Sequence, residues 1–90
     1  MKRDAIRPRH TYRGAGYTYR RVLEMGERCR PHPWQGSSPQ PDEPGVRYAE
    51  LLSPSESARN RGWKLAWVST FARWAAEDVT TAAPGEIDGD

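Results

Sequence analysis

The sequence predicts a small α+β domain, in which short antiparallel strands are followed by one helix near the C-terminus. Residues 17–25 and 46–52 alternate between apolar or aromatic and polar side chains, which is the period of a half-buried strand. Residues 70–79 space their apolar side chains as one face of a helix does. We therefore expect roughly three to five short strands in an open barrel or curled sheet, closed by this helix.

The chain is short, so its core must be small. Its 90 residues correspond to one domain, and hydrophobic residues make up only 36% of them. Four Trp, four Tyr and one Phe must supply much of the buried surface, since each buried aromatic side chain removes about 150–250 Å² from water. A domain of this size is marginally stable alone, so a partner or a second copy would stabilise it.

The N-terminal third is predicted to begin with a flexible basic arm and to continue into strands. Residues 1–9 are polar, basic and interrupted by Pro8, so we place the arm there and a single domain over residues 10–79. Residues 10–13 are predicted as a short strand that ends at the Gly14–Gly16 turn. This turn leads into the first of the two alternating strands.

That alternating strand has two distinct faces. One face carries Tyr17, Tyr19, Arg21, Leu23 and Met25, and the other carries Thr18, Arg20, Val22 and Glu24. Arg20 and Arg21 therefore point in opposite directions. Gly26 and Glu27 are expected to turn the chain into a second short strand at residues 28–30.

The middle of the chain is predicted as a long loop between strands. Residues 31–45 contain five prolines and two glycines, which excludes a helix or a central strand. After the strand at 46–52, the sequence Ser53-Pro54-Ser55-Glu56 has the pattern of a helix capping box. We expect a helix of about two turns to begin there and to end near Gly62.

Residues 63–79 form the aromatic centre of the chain and are open to two interpretations. In the first, residues 63–68 are a strand, and Ser69 caps a helix over residues 70–79. The apolar stripe of that helix includes Phe71 and Trp74.

In the second interpretation, one helix runs over residues 54–79. The aromatic side chains then lie on one helical face, because they are spaced four, four and three apart (Trp63, Trp67, Phe71, Trp74). Against this, Gly62 in the helix interior would cost about 1 kcal/mol. Lys64 would also fall within the apolar arc, so strand followed by helix is favoured.

The ends of the chain and its cysteine content indicate its environment. Residues 80–90 contain a proline, two glycines and three acids, and we expect a disordered acidic tail. No apolar run approaches the roughly 18 residues of a membrane helix, and no secretory segment follows the charged N-terminus. Cys29 is the single cysteine and cannot form an internal disulfide. These features predict a cytoplasmic protein that makes no membrane contact.

Charge is divided unevenly along the chain. Residues 1–30 carry nine basic and three acidic side chains, a net +6, whereas residues 31–90 carry a net −4. Arginines interleaved with tyrosines are typical of nucleic-acid binding, because arginine neutralises phosphates and tyrosine stacks on unpaired bases. The candidate anion-binding residues are Arg7, Arg9, Arg13, Arg20 and Arg21. The alternative is that the tyrosines belong to the core and the arginines are only solvated.

Catalysis and metal binding find little support in the sequence. Cys29 and His32 have a Cys-x-x-His spacing that offers two metal ligands, but a structural zinc site needs four. If Cys29 were exposed, Arg28 and Arg30 would lower its pKa, which underlies a hypothesis that Cys29 is an enzyme nucleophile. We expect no catalytic activity, metal or cofactor.

A protein interface is the other candidate surface. Trp34 lies in the Pro-rich loop, and an exposed tryptophan is a frequent interface anchor. The acidic residues Asp42, Glu43 and Glu50 complete this candidate set. The same loop contains a PxxP sequence, which is either a polyproline ligand or plain loop. An exposed half of the tryptophan stripe would indicate a homodimer.

Residues 46–76 resemble the C-terminal part of small phage-encoded β-barrel proteins, which are often SH3-like. Val46 and Tyr48 match a V-x-Y strand segment, and Ser69, Phe71 and Trp74 match the short helix with which those proteins end. Trp67 is a further matching position. The resemblance implies an open SH3-like barrel, although the Pro-rich insertion departs from compact members. Some phage proteins of this size block bacterial defence by binding CRISPR effector complexes.

Two functional hypotheses follow. The first is a non-catalytic phage or mobile-element accessory protein, whose basic N-terminal third binds nucleic acid or a nucleoprotein complex. The second is a stoichiometric inhibitor or adaptor, such as an anti-CRISPR-like protein, that binds a host protein complex. Salt separates them, because a complex held by phosphate contacts loses affinity steeply as salt rises.

Overall fold

The computed structural model describes residues 1–31, 43–59 and 61–80 of the chain. Within these ranges one antiparallel sheet contains β1 (Thr11–Arg13), β2 (Tyr19–Gly26), β3 (Gly45–Leu51), β4 (Lys64–Trp67) and β5 (Glu77–Asp78). One helix, α1 (Val68–Trp74), lies between β4 and β5. The strand order β4-β3-β2-β1-β5 means that four strands form a meander and the fifth returns to pair with the first. The predicted antiparallel α+β architecture with one C-terminal helix is confirmed.

Strand β2 contains a bulge that changes which side chains face the core. Its register against β3 shifts between Val22 and Glu24, so Leu23 is the extra residue. As a result Val22 and Met25 both pack beneath α1, whereas Leu23 packs on the opposite face of the sheet. Simple alternation had placed Met25 with Leu23, and that prediction is wrong.

The aromatic segment forms a strand and then a helix, as favoured, but the helix is shorter than predicted. It begins at Val68 and ends at Trp74, because Ala75 is extended and the chain continues into β5. The predicted end at residue 79 is therefore wrong. Trp67, rather than Ser69, occupies the N-cap position.

Two other predicted elements are absent from the described residues. The helix expected at Ser53-Pro54-Ser55-Glu56 is a series of turns and bends, because the Glu56 carboxylate accepts the Leu52 N–H (2.5 Å) instead of completing a capping box. The strand expected at residues 28–30 is replaced by a 3-10 turn at Glu27–Cys29.

The N-terminal residues pack against the domain and do not form the separate arm that was predicted. Ile6 is only 4% exposed and belongs to the core beneath α1. The Tyr12 hydroxyl donates to the Ala5 carbonyl (2.9 Å) and accepts the Arg7 N–H (2.8 Å). The Met1 amine donates to the carbonyl of Ala72 in α1 (3.0 Å). Burial of an apolar side chain and these bonds hold residues 1–9 in place.

The sheet has an apolar cluster on each face. The cluster beneath α1 consists of Ile6, Tyr12, Val22, Val46, Tyr48, Val68, Phe71, Ala72 and Ala75. The rings of Tyr12 and Tyr48 meet Phe71 edge-on at 5.6 and 5.4 Å between centroids. The smaller cluster on the other face joins Ala49, Leu51 and Ala58. Most of the predicted Pro-rich loop, and the predicted acidic tail beyond Thr80, lie outside the described residues.

No helix in the described part of the chain has the length and apolar character needed to cross a membrane.

Candidate anion-binding site

Arg20, near the start of β2, is held between two aromatic rings. Its guanidinium carbon lies 4.2 Å from the centre of the Trp74 ring and 4.9 Å from that of Tyr48. Its Nε is buried without a hydrogen-bond partner, and no described residue forms a hydrogen bond or ion pair with the rest of the guanidinium. Stacking positions this cation, and because Nε is buried, only its Nη donors are left for an external acceptor.

Glu50, the cross-strand neighbour of Arg20, already accepts a hydrogen bond from another residue. Glu50 is the partner of Arg20 in the β2–β3 register. Lys64, however, donates from Nζ to Glu50 Oε1 at 2.6 Å, and this hydrogen bond lowers the pKa of Glu50. The charge of Arg20 also lowers the pKa of Glu50, so the two groups attract each other, but the direct ion pair of Glu50 is with Lys64.

Gly14 lies directly against the Trp74 ring of the aromatic platform. A Cβ atom at this position would overlap the indole of Trp74, so only glycine allows the backbone to approach the ring so closely. The Trp74 ring also contacts Phe71 in the core, with centroids 5.3 Å apart. Trp74 is thus confined by the core, by Gly14 and by Arg20, which preorganises the arginine for binding.

The turn that joins β1 to β2 displays a strained aromatic residue. Tyr17 is 76% exposed and has φ +59°, a left-handed conformation that costs a non-glycine residue about 1–2 kcal/mol. The Arg13 guanidinium lies 5.5 Å from the centre of the Tyr17 ring and donates to Glu77 Oε1 from Nη2 (2.9 Å). Strain at an exposed position is a reason to look for function there.

The remaining exposed candidates lie at the other end of β1. Arg7 and Arg9 precede this strand, and both are exposed. Arg9 has φ +67° and donates its backbone N–H to the Val22 carbonyl (2.7 Å). Arg13 and Arg20 both lie near the β1–β2 turn, but Arg13 pairs with Tyr19 and Arg20 with Tyr12, so their side chains leave opposite faces of the sheet. Arg7 and Arg9 lie one short strand away.

Arg21 does not belong to any anion-binding surface, and its assignment to one is wrong. The side chain is fully buried. Its Nε donates to Thr11 Oγ1 (2.7 Å), and its Nη atoms donate to the carbonyls of Glu56 (2.6 Å) and Pro54 (2.8 Å). The strand pattern contained the signal for this, because Arg21 shares a face with the apolar Leu23.

Glu43 was predicted to lie at a protein interface, and this prediction is wrong because the residue is buried. Its carboxylate oxygen accepts the Ser69 N–H at 2.5 Å and so caps the start of α1. Glu50 is exposed but paired with Lys64. Trp34 and Asp42 lie outside the described residues.

The structure also corrects the expected chemistry of Cys29. The thiol is buried, with 2% of the residue exposed, and burial raises its pKa, assisted by the charge of Glu24 and opposed by Arg47. The lowering of this pKa by Arg28 and Arg30 was expected only for an exposed Cys29, and that condition is not met. Among the described residues no three His, Cys, Asp or Glu side chains gather into a metal site, and His32 is outside them.

The sequence did not reveal how Arg20 is positioned. Tyr48 and Trp74 were expected only as core residues, and Lys64 had no assigned role. Their meeting with Arg20 depends on long-range pairing of strands and on where α1 packs, which no local pattern records. No protein-family model matches this chain, and neither a curated protein nor a solved structure does.

Proposed function

We propose that this domain is a non-catalytic binding module that recognises a phosphate-bearing partner, nucleic acid or a nucleoprotein complex, through the end of the β1–β2 hairpin. One observation carries the proposal: Arg20 is stacked on Trp74 and Tyr48 with no hydrogen-bond partner among the described residues. A guanidinium held in this way can donate two parallel hydrogen bonds to a phosphate without first breaking an internal ion pair.

The hairpin end adds the chemistry for unpaired bases. The exposed ring of Tyr17 is a platform on which a base stacks, an interaction worth about 1–3 kcal/mol. The exposed Arg7 and Arg9 would follow the phosphate backbone, and Arg13 beside that ring would join them only by exchanging its bond to Glu77. This combination of stacking and phosphate contacts favours single-stranded nucleic acid over a duplex.

The strand topology and the sequence resemblance support the finer parts of the proposal. A four-strand meander, a short helix and a fifth strand that returns to β1 are the connections expected of an SH3-like barrel. The resemblance of residues 46–76 to phage-encoded barrels supports an accessory role in a phage or mobile element. The protein-inhibitor alternative is weaker, because Glu43, one of its expected contacts, is buried.

The first test is oligonucleotide binding by the Arg20→Glu variant. Fluorescence anisotropy would compare labelled single strands and duplexes at low and moderate salt. We expect roughly a tenfold or greater loss of affinity, because a charge-assisted, bidentate contact is removed. Arg28→Glu is the matched control, since Arg28 is exposed in the turn beyond the far end of β2 and the charge change is the same. Equal losses in the two variants would show that net charge alone drives binding.

The second test separates base stacking from stability. Tyr17→Gly removes the ring and relieves the left-handed backbone, so binding of single strands should weaken while thermal stability stays equal or rises. Tyr17→Phe keeps the ring and should bind as the wild type does. Undiminished binding by Tyr17→Gly would rule out the hairpin turn as the base-contacting surface.

A wild-type protein that binds no oligonucleotide even at low salt would refute the proposal for nucleic acid. Capture of a protein partner that survives high salt and nuclease would then favour the inhibitor or adaptor alternative.

A further inference from the structure

The two edges of the sheet are built differently. Strand β5 is only two residues long, both acidic, and its side chains are paired: Glu77 with Arg13 and Asp78 with His10. A short, charged edge of this kind discourages further strand pairing. Strand β4 is longer and is preceded by Trp63, which is 55% exposed. Of the two edges that the described residues form, β4 is therefore the one open to another strand.

The backbone of β4 offers hydrogen-bonding groups at this edge. The Val68 N–H donates to the Pro44 carbonyl (3.2 Å), and bonds across an antiparallel pair recur at every second residue. Ala66 therefore also bonds to β3. The N–H and C=O groups of Leu65 and the N–H of Trp67 then point away from β3, where the described residues provide no further strand.

The side chains of the same residues form an apolar row. Trp63, Leu65 and Trp67 alternate with Lys64 and Ala66, so they lie on the face of the sheet opposite α1. None of the three belongs to the apolar clusters found on the two faces of the sheet in the described residues. The outward backbone groups and the partly exposed apolar side chains thus occur together on one strand.

We propose that β4 pairs antiparallel with β4 of a second copy about a two-fold axis perpendicular to the sheet at Leu65. In this register Leu65 faces Leu65 of the second copy, and Trp63 faces Trp67. Lys64 faces Ala66 and not another lysine, so like charges are not directly opposed. The apolar row is therefore self-complementary, as a two-fold interface requires. This proposal does not depend on anion binding.

The oligomeric state of the full chain tests the proposal. Sedimentation equilibrium from micromolar to millimolar concentration should show a species of twice the 10.2 kDa chain mass. Leu65→Lys, which places two like charges opposite each other at the axis, should remain monomeric with an unchanged circular dichroism spectrum. Leu52→Lys is the matched control, because Leu52 is 80% exposed and lies outside β4, and it should dimerise. If Leu65→Lys fails to fold, Trp63→Ala should weaken the dimer in its place.

Amide hydrogen exchange tests the register. The amides of Leu65 and Trp67 should become protected only at concentrations where the dimer forms, whereas the Ala66 amide should be protected at all concentrations. A monomeric wild type at millimolar concentration would overturn the proposal, as would a Leu65→Lys dimer. Protection of Leu65 and Trp67 in a monomer would also overturn it, because another part of the chain would then cover this edge.

Discussion

Arg20 and Arg21 are neighbours in the sequence and have opposite environments. Successive side chains of β2 point to opposite faces, so Arg20 reaches the aromatic platform and Arg21 enters the interior. A buried guanidinium is tolerated only where its donors are satisfied. Here Thr11 and the carbonyls of the segment after β3 accept from Arg21, which ties that segment to the sheet.

We therefore expect Arg21→Lys to destabilise the domain although the charge is kept. An ammonium cannot reproduce the planar fork that reaches three separate acceptors, and hydrogen bonds to a charged group contribute about 1.5–3 kcal/mol. The free energy of unfolding measured in urea should fall by roughly that amount. Arg20→Lys is the control and should cost less, about 1 kcal/mol, because it loses only partly exposed stacking. Equal losses in the two variants would contradict this division of roles.

At the scale of elements, α1 depends on a residue distant in the sequence. It has only seven residues, too few for an isolated helix to be stable in water. Its N-cap residue is Trp67, whose side chain provides no capping hydrogen bond. Glu43 supplies the cap from the segment before β3 by accepting the Ser69 N–H. This contact therefore caps the start of α1 and also attaches the helix to the segment before β3.

Glu43→Ala should destabilise the domain by about 1–2 kcal/mol, as loss of a helix cap does. Glu43→Gln keeps an acceptor oxygen and should be milder. Urea unfolding monitored by circular dichroism would measure both variants, with Glu27→Ala as an exposed control that should have little effect. An unchanged free energy of unfolding for Glu43→Ala would show that packing alone stabilises α1.

At the scale of the whole molecule, hydrogen-bonded carboxylates connect distant parts of the chain. The pKa of Asp78 is raised by burial, but hydrogen bonds from Thr80 and His10 outweigh that effect and the net shift is downward. The pKa of Glu50 is lowered by Lys64. The Leu52 N–H, and then Arg61, lower the pKa of Glu56. Asp78 connects β5 to His10 just before β1, and Glu50 connects β3 to β4. Glu56 stabilises the bend of the loop between β3 and β4.

Acid should therefore destabilise the domain. Carboxyls with a depressed folded pKa add stability that is complete above their unfolded values, about 4, and that is lost as pH falls through the folded values. The free energy of unfolding should be nearly constant from about pH 7 to 5 and decline below about pH 4. Asp78→Asn should be less stable than the wild type at neutral pH, with the difference shrinking in acid. A difference that stays constant with pH would show that the charge of Asp78 is not involved.

Most of the elements were predictable from local pattern, whereas most of the site was not. Period-two alternation located β2 and β3, and the glycine turn located the end of β1. The bulge at Leu23 escaped prediction because it depends on how β2 meets β3. The capping-box pattern at Ser53 misled because its acidic residue, Glu56, bonds to Leu52 and Arg61 instead.

The sequence by itself determined the class of the fold, the order of its main elements and the arginines from which a binding site would be chosen. These properties follow from residue type and spacing within a few positions. Only the tertiary structure decided which arginine is available, since Arg21 is buried and Arg20 is stacked between rings contributed by β3 and α1. It also decided that Glu43 caps a helix, because the burial and pairing of a charge depend on groups brought together by folding.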